Sequence, residues 1–356
     1  MQIKPFKLIS FDAQKWNNPI FAEMFNTSNT KDKITRVTTI MNFIQNSISN
    51  GSAKIDRNPG LYVLQINNGS KNIKLLIGSI GYDEKNIFLP NEETHPEKIN
   101  SYTSLFNKYK MQINPVLTFY KEKISIDSIV QNTMNYSSKI DTKIGKSNYK
   151  LWTIKNPIDL DNIKQSMDEI KKIYIADGHH RFSIFQHISR KTLSNIMIAL
   201  TDSHNICLKS CHRIIIANIP NDWKEKISDS CIVQKGYVPD SIRIIFRNGE
   251  EYSIKIKPEI LDRGPINSLI NDIIFKYSFN INNIPDQIFP LPGNIDQSKT
   301  RELFDLYEDS TAIVFIPDLD VSEFFTIVDN GNTLPPTSTW FEPKIIDGFL
   351  MTRFGC

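Results

Sequence analysis

The chain has 356 residues, of which 40% are hydrophobic and 23% charged, and its formal net charge is only +3. That length exceeds one minimal core and suggests two domains, or one large domain with an elaboration, and the composition is that of an ordinary globular protein. Scattered basic residues argue against a nucleic-acid partner, residues 1–16 lack the apolar core of a signal peptide, and no run approaches the ~18 apolar residues of a membrane span.

Along the chain, Leu61–Ile66 and Ile73–Ile77 are apolar runs joined by Asn67-Asn68-Gly69-Ser70, the pattern of a β-hairpin. Thr94 and Glu97 fit a capping box, and Ile99, Tyr102, Leu105, Phe106 and Tyr109 recur at helical spacing behind it. Pro115 then opens a strand over 116–120. Glu92 falls on the loop just before the helix, where the dipole favours a negative charge; by residue type alone it reads as a solvated acidic residue of a helix start. A second helix is expected over 158–172.

Ile173–Ala176 has the length and character of a buried strand, and Asp177-Gly178 is a turn pair. Beyond it Phe182, Phe185 and Ile188 recur at helical spacing, so the helix begins with His179, His180 and Arg181. Free N–H groups and the positive end of the dipole gather at a helix start, which makes it an anion site. An arginine fork, two imidazoles and the Asp177 carboxylate at that end suit a phosphate, with Asp177 also a candidate Mg²⁺ ligand. The structural alternative is an aspartate N-cap followed by two ordinary histidines.

Ile196–Leu200 is another apolar strand, and the alternation of strands and helices over 59–216 indicates an α+β, mixed α/β class. Pro220-Asn221-Asp222 punctuates the chain, giving domains over 1–220 and 221–356. The second is expected to hold strands near 241–257 and 311–316 and a helix near 321–329. Its last segment, Leu334 to Lys344, has prolines at 335, 336 and 343 that stiffen a loop carrying Ser338, Thr339, Trp340, Phe341 and Lys344. Cys207, Cys211, Cys231 and Cys356 are few and unevenly placed, and read as reduced thiols of a cytoplasmic protein. His204, Cys207, Cys211 and His212 are metal-capable types, but strand alternation would send Cys211 and His212 to opposite faces, against a zinc site.

Three blocks occur in order: Ala176-Asp177-Gly178-His179-His180-Arg181, His212-Arg213 before an apolar strand, and Leu334-Pro335-Pro336-x-Ser338-Thr339-Trp340-Phe341-x-Pro343-Lys344. Together they resemble a widespread bacterial family, often labelled only as a domain of unknown function and related to the free L-serine kinases of the ParB/sulfiredoxin-like fold. The resemblance runs from Pro5-Phe6 to Gly348. It implies a ParB/sulfiredoxin-like nucleotide-binding core in 1–220 and a C-terminal α/β elaboration in 221–356 that supplies the Ser338-Thr339 loop. Within that pattern Glu92 matches the kinases' catalytic glutamate, and Asp177, Gly178, His179, His180 and Arg181 match the nucleotide- and phosphate-handling motif. Ser338 and Thr339 match the late phosphate loop, with His212 and Arg213 an additional candidate pair. Asn91, Thr337 and Ser210-Cys211 stand where the family usually has His, Lys and Pro-Thr.

The function so implied is transfer of a phosphoryl group from ADP or ATP, with Mg²⁺, to the hydroxyl of free L-serine or a similar small molecule. Glu92 would accept the hydroxyl proton, Arg181 and the helix start would hold phosphates, and one of His179 and His180 would add a donor. The alternative of another class is a nucleotide-binding regulatory module of the ParB-like kind, with the phosphate cradle kept and turnover lost.

Overall fold

A computed structural model describes residues 1–25, 33–69, 71–94, 96–121, 126–188, 195–342 and 344–353; Ser70, Pro343, Cys356 and the side chain of Glu97 lie outside the described residues. By its contacts the chain divides into two units. Met1–Pro90, Thr94–Cys207 and Glu342–Cys356 make the first, Asn91–Glu93 and Leu208–Phe341 the second. Both mix helices and strands, so the class is mixed α/β.

Among the described residues, the sheet of the first unit holds nine strands: β1 (Ile3–Lys4), β2 (Leu61–Asn67), β3 (Asn72–Gly81), β4 (Phe88–Leu89), β5 (Val116–Tyr120), β6 (Ile140–Ile144), β7 (Ser147–Ile154), β8 (Ile173–Asp177) and β9 (Asn195–Asp202). Their order is β4-β8-β5-β9-β3-β2-β7-β6, with β1 pairing β3. β2 and β3 form the expected hairpin, β5 runs parallel to β9, and β8 runs antiparallel to β5. β5 is buried along its whole length and β8 up to Ala176, as strands covered on both faces require, which is why they read as continuous apolar runs.

Helices α1 (Lys33–Ser49), α2 (Pro96–Tyr109), α3 (Ile126–Met134), α4 (Pro157–Asp168) and α5 (His179–His187) belong to this unit. α4 starts where Asn156 accepts from the N–H of Ile158, with Pro157 in the first turn, and it ends four residues before the expected 172. Phe182, Ile184 and Phe185 of α5 share one core with Val116, Ile175 and Ile198 of the sheet. Residues 344–353 belong to this unit as well. Asn114 Nδ2 donates to Ile345 O at 3.0 Å and to Asp347 Oδ1 at 2.6 Å, the N–H of Ile9 donates to Met351 O at 2.8 Å, and the Phe349 ring lies 5.5 Å from that of Trp16.

The second unit is built on a sheet of β10 (His212–Ile215), β11 (Cys231–Lys235), β12 (Ile242–Phe246), β13 (Glu251–Ile256), β14 (Ile288–Leu291) and β15 (Ala312–Phe315), ordered β11-β13-β12-β15-β10-β14. Successive residues face opposite sides. Ile215, Ile244 and Val314 pack under α6 (Trp223–Ile227) and the helical stretch 266–278, whereas Ile214, Ile245 and Ile313 pack under α7 (Thr300–Leu306). The expected strands near 241–257 and 311–316 are present, as is the helix near 321–329, α8 (Val321–Asp329).

Candidate functional site

In the first unit the site grows from the end of β8. Pairing with β5 shifts register between Ile175 and Asp177, leaving one extra residue at Ala176, a bulge of the kind that re-aims the next side chain. Gly178 follows at φ +97°, a left-handed conformation that glycine adopts without steric cost, and it is the N-cap of α5. No side chain caps this helix, so Asp177 is not the N-cap its residue type allowed. Its carboxylate binds two cations instead: Arg181 Nη2 lies 2.7 Å from Oδ2 and Lys344 Nζ 2.6 Å from Oδ1.

Arg181 is fixed further by Nη1 donating to Pro115 O at 2.9 Å. A Cβ on Gly178 would sit 2.8 Å from Arg181 Nη2, so the guanidinium crosses the bare face of the glycine. Burial alone would raise the Asp177 carboxyl, but Lys344 and then Arg181, with a smaller contribution from His179, hold it well below the usual carboxylate range. One carboxylate against two cations leaves a net positive cluster at the positive end of α5, an arrangement that suits an anion. Of the two histidines, His179 is buried and interacts with Asp177, while His180 is half-buried.

In the second unit a separate polar cluster forms around Glu92. Residues 91–93 lie beside Leu334: its N–H donates to Asn91 O at 2.7 Å, and its carbonyl accepts from the N–H of Glu93 at 3.0 Å. The loop that follows wraps the Glu92 carboxylate. Thr337 N–H donates to Oε2 at 2.8 Å, Thr339 N–H donates to Oε1 at 2.7 Å, and the Thr339 hydroxyl donates to Oε1 as well. Thr337 adopts φ +60°, a left-handed conformation rare for a β-branched residue, and this aims its N–H at the carboxylate. Asn91 Nδ2 donates to Thr339 Oγ1 at 3.1 Å, and Ser338 Oγ donates to Pro335 O at 2.7 Å. The segment 210–213 buttresses the loop, with Cys211 N–H donating to Ser338 O at 3.0 Å and Cys211 Sγ to Thr339 O at 3.2 Å.

Glu92 is therefore half-buried and held by three donors, unlike the solvated glutamate that its position alone suggested. Ser338 is fully buried, its hydroxyl closing its own turn. His212 accepts from the N–H of Ile316 through Nδ1 at 3.1 Å, so its proton sits on Nε2; burial pushes it down to about 4 against the opposing pull of Asp318. The structure brings Asp177, Gly178, His179, His180 and Arg181 together in the first unit, and Glu92, Ser338, Thr339, His212 and Arg213 belong to the second.

Lys344 is the residue whose role the sequence reading missed. The signal was present, since Pro343-Lys344 closes the third block, but nothing in the local pattern connects it to Asp177. Both Asp177 oxygens already hold cations, so Mg²⁺ on this carboxylate would have to displace Lys344 or Arg181. The residues present do not fit a resident Mg²⁺ there, and among the described residues no group of three or more His, Cys, Asp and Glu side chains is placed to hold a metal. Likewise, no helix among them is long and apolar enough to cross a membrane.

Fold and clusters together define a mixed α/β protein with a paired-cation site at a glycine-started helix. Residues 15–275, well over half of the chain, match the family described as Protein of unknown function (DUF1015), and the chain belongs to that family. No curated protein matches it. Among solved structures it is similar to a free serine kinase mutant in complex with ADP, at 10% identity and a TM-score of 0.44 over 78% of this chain and 91% of that one. It is also similar to SbnI with C-terminal truncation from Staphylococcus aureus, at 10% identity and a TM-score of 0.46 over 76% and 85%. A conserved hypothetical protein from Pyrococcus furiosus gives 11% identity and a TM-score of 0.43 over 76% and 93%.

Proposed function

We propose that this chain is a phosphotransferase of the serine-kinase type, moving a phosphoryl group from ADP or ATP to the hydroxyl of free L-serine or a similar small molecule. The observation that carries the reading is the Asp177–Arg181–Lys344 cluster at the start of α5, a fixed pair of cations around one carboxylate. The blocks that resemble the free serine kinases support it, and with them the assignment of a ParB/sulfiredoxin-like nucleotide-binding core.

Phosphoryl transfer asks for positioning and charge neutralisation more than for covalent chemistry. Arg181, Lys344 and the start of α5 hold phosphate oxygens, Gly178 lets them approach the backbone, and His179 or His180 adds a donor. The acceptor oxygen attacks the terminal phosphorus, the bond from that phosphorus to the bridging oxygen breaks, and AMP or ADP leaves with the electron pair. The hydroxyl proton passes to Glu92 Oε2, which among the described residues accepts only from Thr337 and so keeps a lone pair, while Oε1 is occupied by two donors from Thr339. Mg²⁺ enters the reading as the counter-ion of the nucleotide phosphates, and no residue is assigned to it.

The test is phosphorus NMR on the full chain incubated with L-serine, Mg²⁺ and ADP or ATP. O-phosphoserine is expected, and Glu92→Gln should reduce its formation by roughly 10²–10⁴-fold while leaving ADP binding intact. The second reading, a nucleotide-binding regulatory module without turnover, is favoured by one observation: the Ser338 hydroxyl donates to Pro335 O and the Thr339 hydroxyl to Glu92, so each is already committed as a donor. Bound nucleotide with no phosphoserine would select it.

A further inference from the structure

Arg213 is only 4% exposed, yet no carboxylate lies within ion-pair distance of it among the described residues. Its Nη1 donates to the carbonyls of Cys211 at 2.9 Å and His212 at 3.0 Å, both in its own chain segment. No oxygen atom among the described residues accepts from Nε or Nη2; the side-chain partner of the guanidinium is the Cys211 thiol. Neither is among the buried atoms without partners, as His212 Nε2 and Ser210 Oγ on either side of Cys211 are. A buried guanidinium with no oxygen on one edge is costly unless something else meets it. That edge carries Nε and Nη2, two parallel N–H groups whose spacing matches the two oxygens of a carboxylate. The Cys211 thiol, which donates to Thr339 O, attracts Arg213, and Arg213 also feels the charge of Glu92.

We propose that Arg213 anchors the carboxylate of the acceptor through its Nε–Nη2 edge, so that the substrate of this site is a small hydroxy acid, amino acids included, with its hydroxyl at Glu92. This rests on the phosphotransferase reading and narrows it. One end of the acceptor is fixed by a bidentate ion pair and the other by the remaining lone pair of Glu92 Oε2. A neutral alcohol of the same size leaves the buried cation unpaired and is discriminated against.

Calorimetric titration of the full chain separates the cases, with L-serine, glycerate, serinol (in which the carboxylate becomes a hydroxymethyl group) and inorganic phosphate as probes. At least one of the two carboxylates should bind, with serinol weaker by about 10- to 100-fold, and Arg213→Gln should cost that carboxylate a similar factor while ADP affinity stays unchanged. Arg213→Lys keeps the charge but not the fork, so it should also weaken the carboxylate and guards against a Gln variant that fails to fold. Neither carboxylate binding, serinol binding within threefold of the carboxylate, or wild-type affinity in both variants would overturn the proposal. So would inorganic phosphate that binds through Arg213 without competition from either acid. Failure of the phosphotransferase reading shows separately, as carboxylate binding through Arg213 with no phosphate moved from ADP or ATP.

Discussion

Gly178 and His212 show how far single residues determine the two clusters. Gly178 stands at φ +97° with Arg181 Nη2 2.8 Å from where a Cβ would be, so Gly178→Ala is strained by its backbone and also pushes the guanidinium off Asp177. The backbone term alone costs about 1–2 kcal/mol, and the expected outcome is a lower unfolding midpoint together with at least a roughly tenfold loss of ADP affinity by calorimetry. Wild-type affinity in that variant would remove Arg181 from nucleotide binding. His212 makes a prediction about pH. It is neutral in the folded state, pushed down to about 4, whereas the unfolded side chain titrates near its ordinary 6.5. Between these values the unfolded chain binds the extra proton, so stability is complete above about 6.5 and falls as the pH drops through 4, by roughly 3 kcal/mol in all. Urea midpoints measured between pH 7.5 and 4.5 should fall less steeply in His212→Gln. These residues were unequally legible. Asp177 to Arg181 declare themselves by residue type and by the helical spacing behind them, whereas Glu92 and Lys344 acquire meaning only from partners distant in sequence, Thr337 and Thr339 for one and Asp177 for the other.

At the scale of elements, the loop 334–339 is organised by an internal anion. Its two N–H groups and one hydroxyl converge on the Glu92 carboxylate much as a nest of amides holds a phosphate. The loop carries strain at Thr337, a β-branched residue at φ +60°, which costs on the order of 1–2 kcal/mol. Glycine at this position relieves the strain and keeps the N–H, so Thr337→Gly should raise thermal stability by about 0.5–1 kcal/mol after its own entropy cost. A lower midpoint would show that the conformation is unstrained. The elements that the sequence made legible are those with unbroken apolar runs or clear periodicity: the β2–β3 hairpin, β5, β8, α2, α4 and α5. The hairpin of β6 and β7 was readable too, since burial along β6 alternates strictly, but polar residues in every second position hide a short strand from a search for apolar runs. β14 was hidden by Pro290, which is tolerated because this strand lies at the edge of its sheet. The bulge at Ala176 carries no signal at all, because a register shift is a property of the pair β8–β5 and not of either strand.

Taken whole, the chain passes between its units after Pro90, after Glu93, after Cys207 and after Phe341. The first unit is thus assembled from three stretches, and its last one is no loose tail: Phe349, Leu350 and Met351 are completely buried. A chain ending at Phe341 lacks the partners of Asn114 and Ile9 and one of the rings that pack on Trp16. It should show an early unfolding step, seen in the fluorescence of Trp16 and Trp152, and lose ADP binding along with Lys344, while the core of the second unit keeps all of its residues. Unchanged unfolding would show that residues 342–356 are dispensable to the first core. The same connectivity bears on how the protein is made. A ribosome adding about 5–20 residues per second delivers Asp177 many seconds before Lys344, and Leu208–Phe341 of the second unit is synthesised in the interval. Until the final residues emerge, Asp177 lacks one of its two ion-pair partners and the first unit is open where Phe349 and Met351 belong. Prematurely terminated chains therefore carry an incomplete cradle and an exposed apolar cleft, which leaves them both inert and recognisable to the cell's quality control.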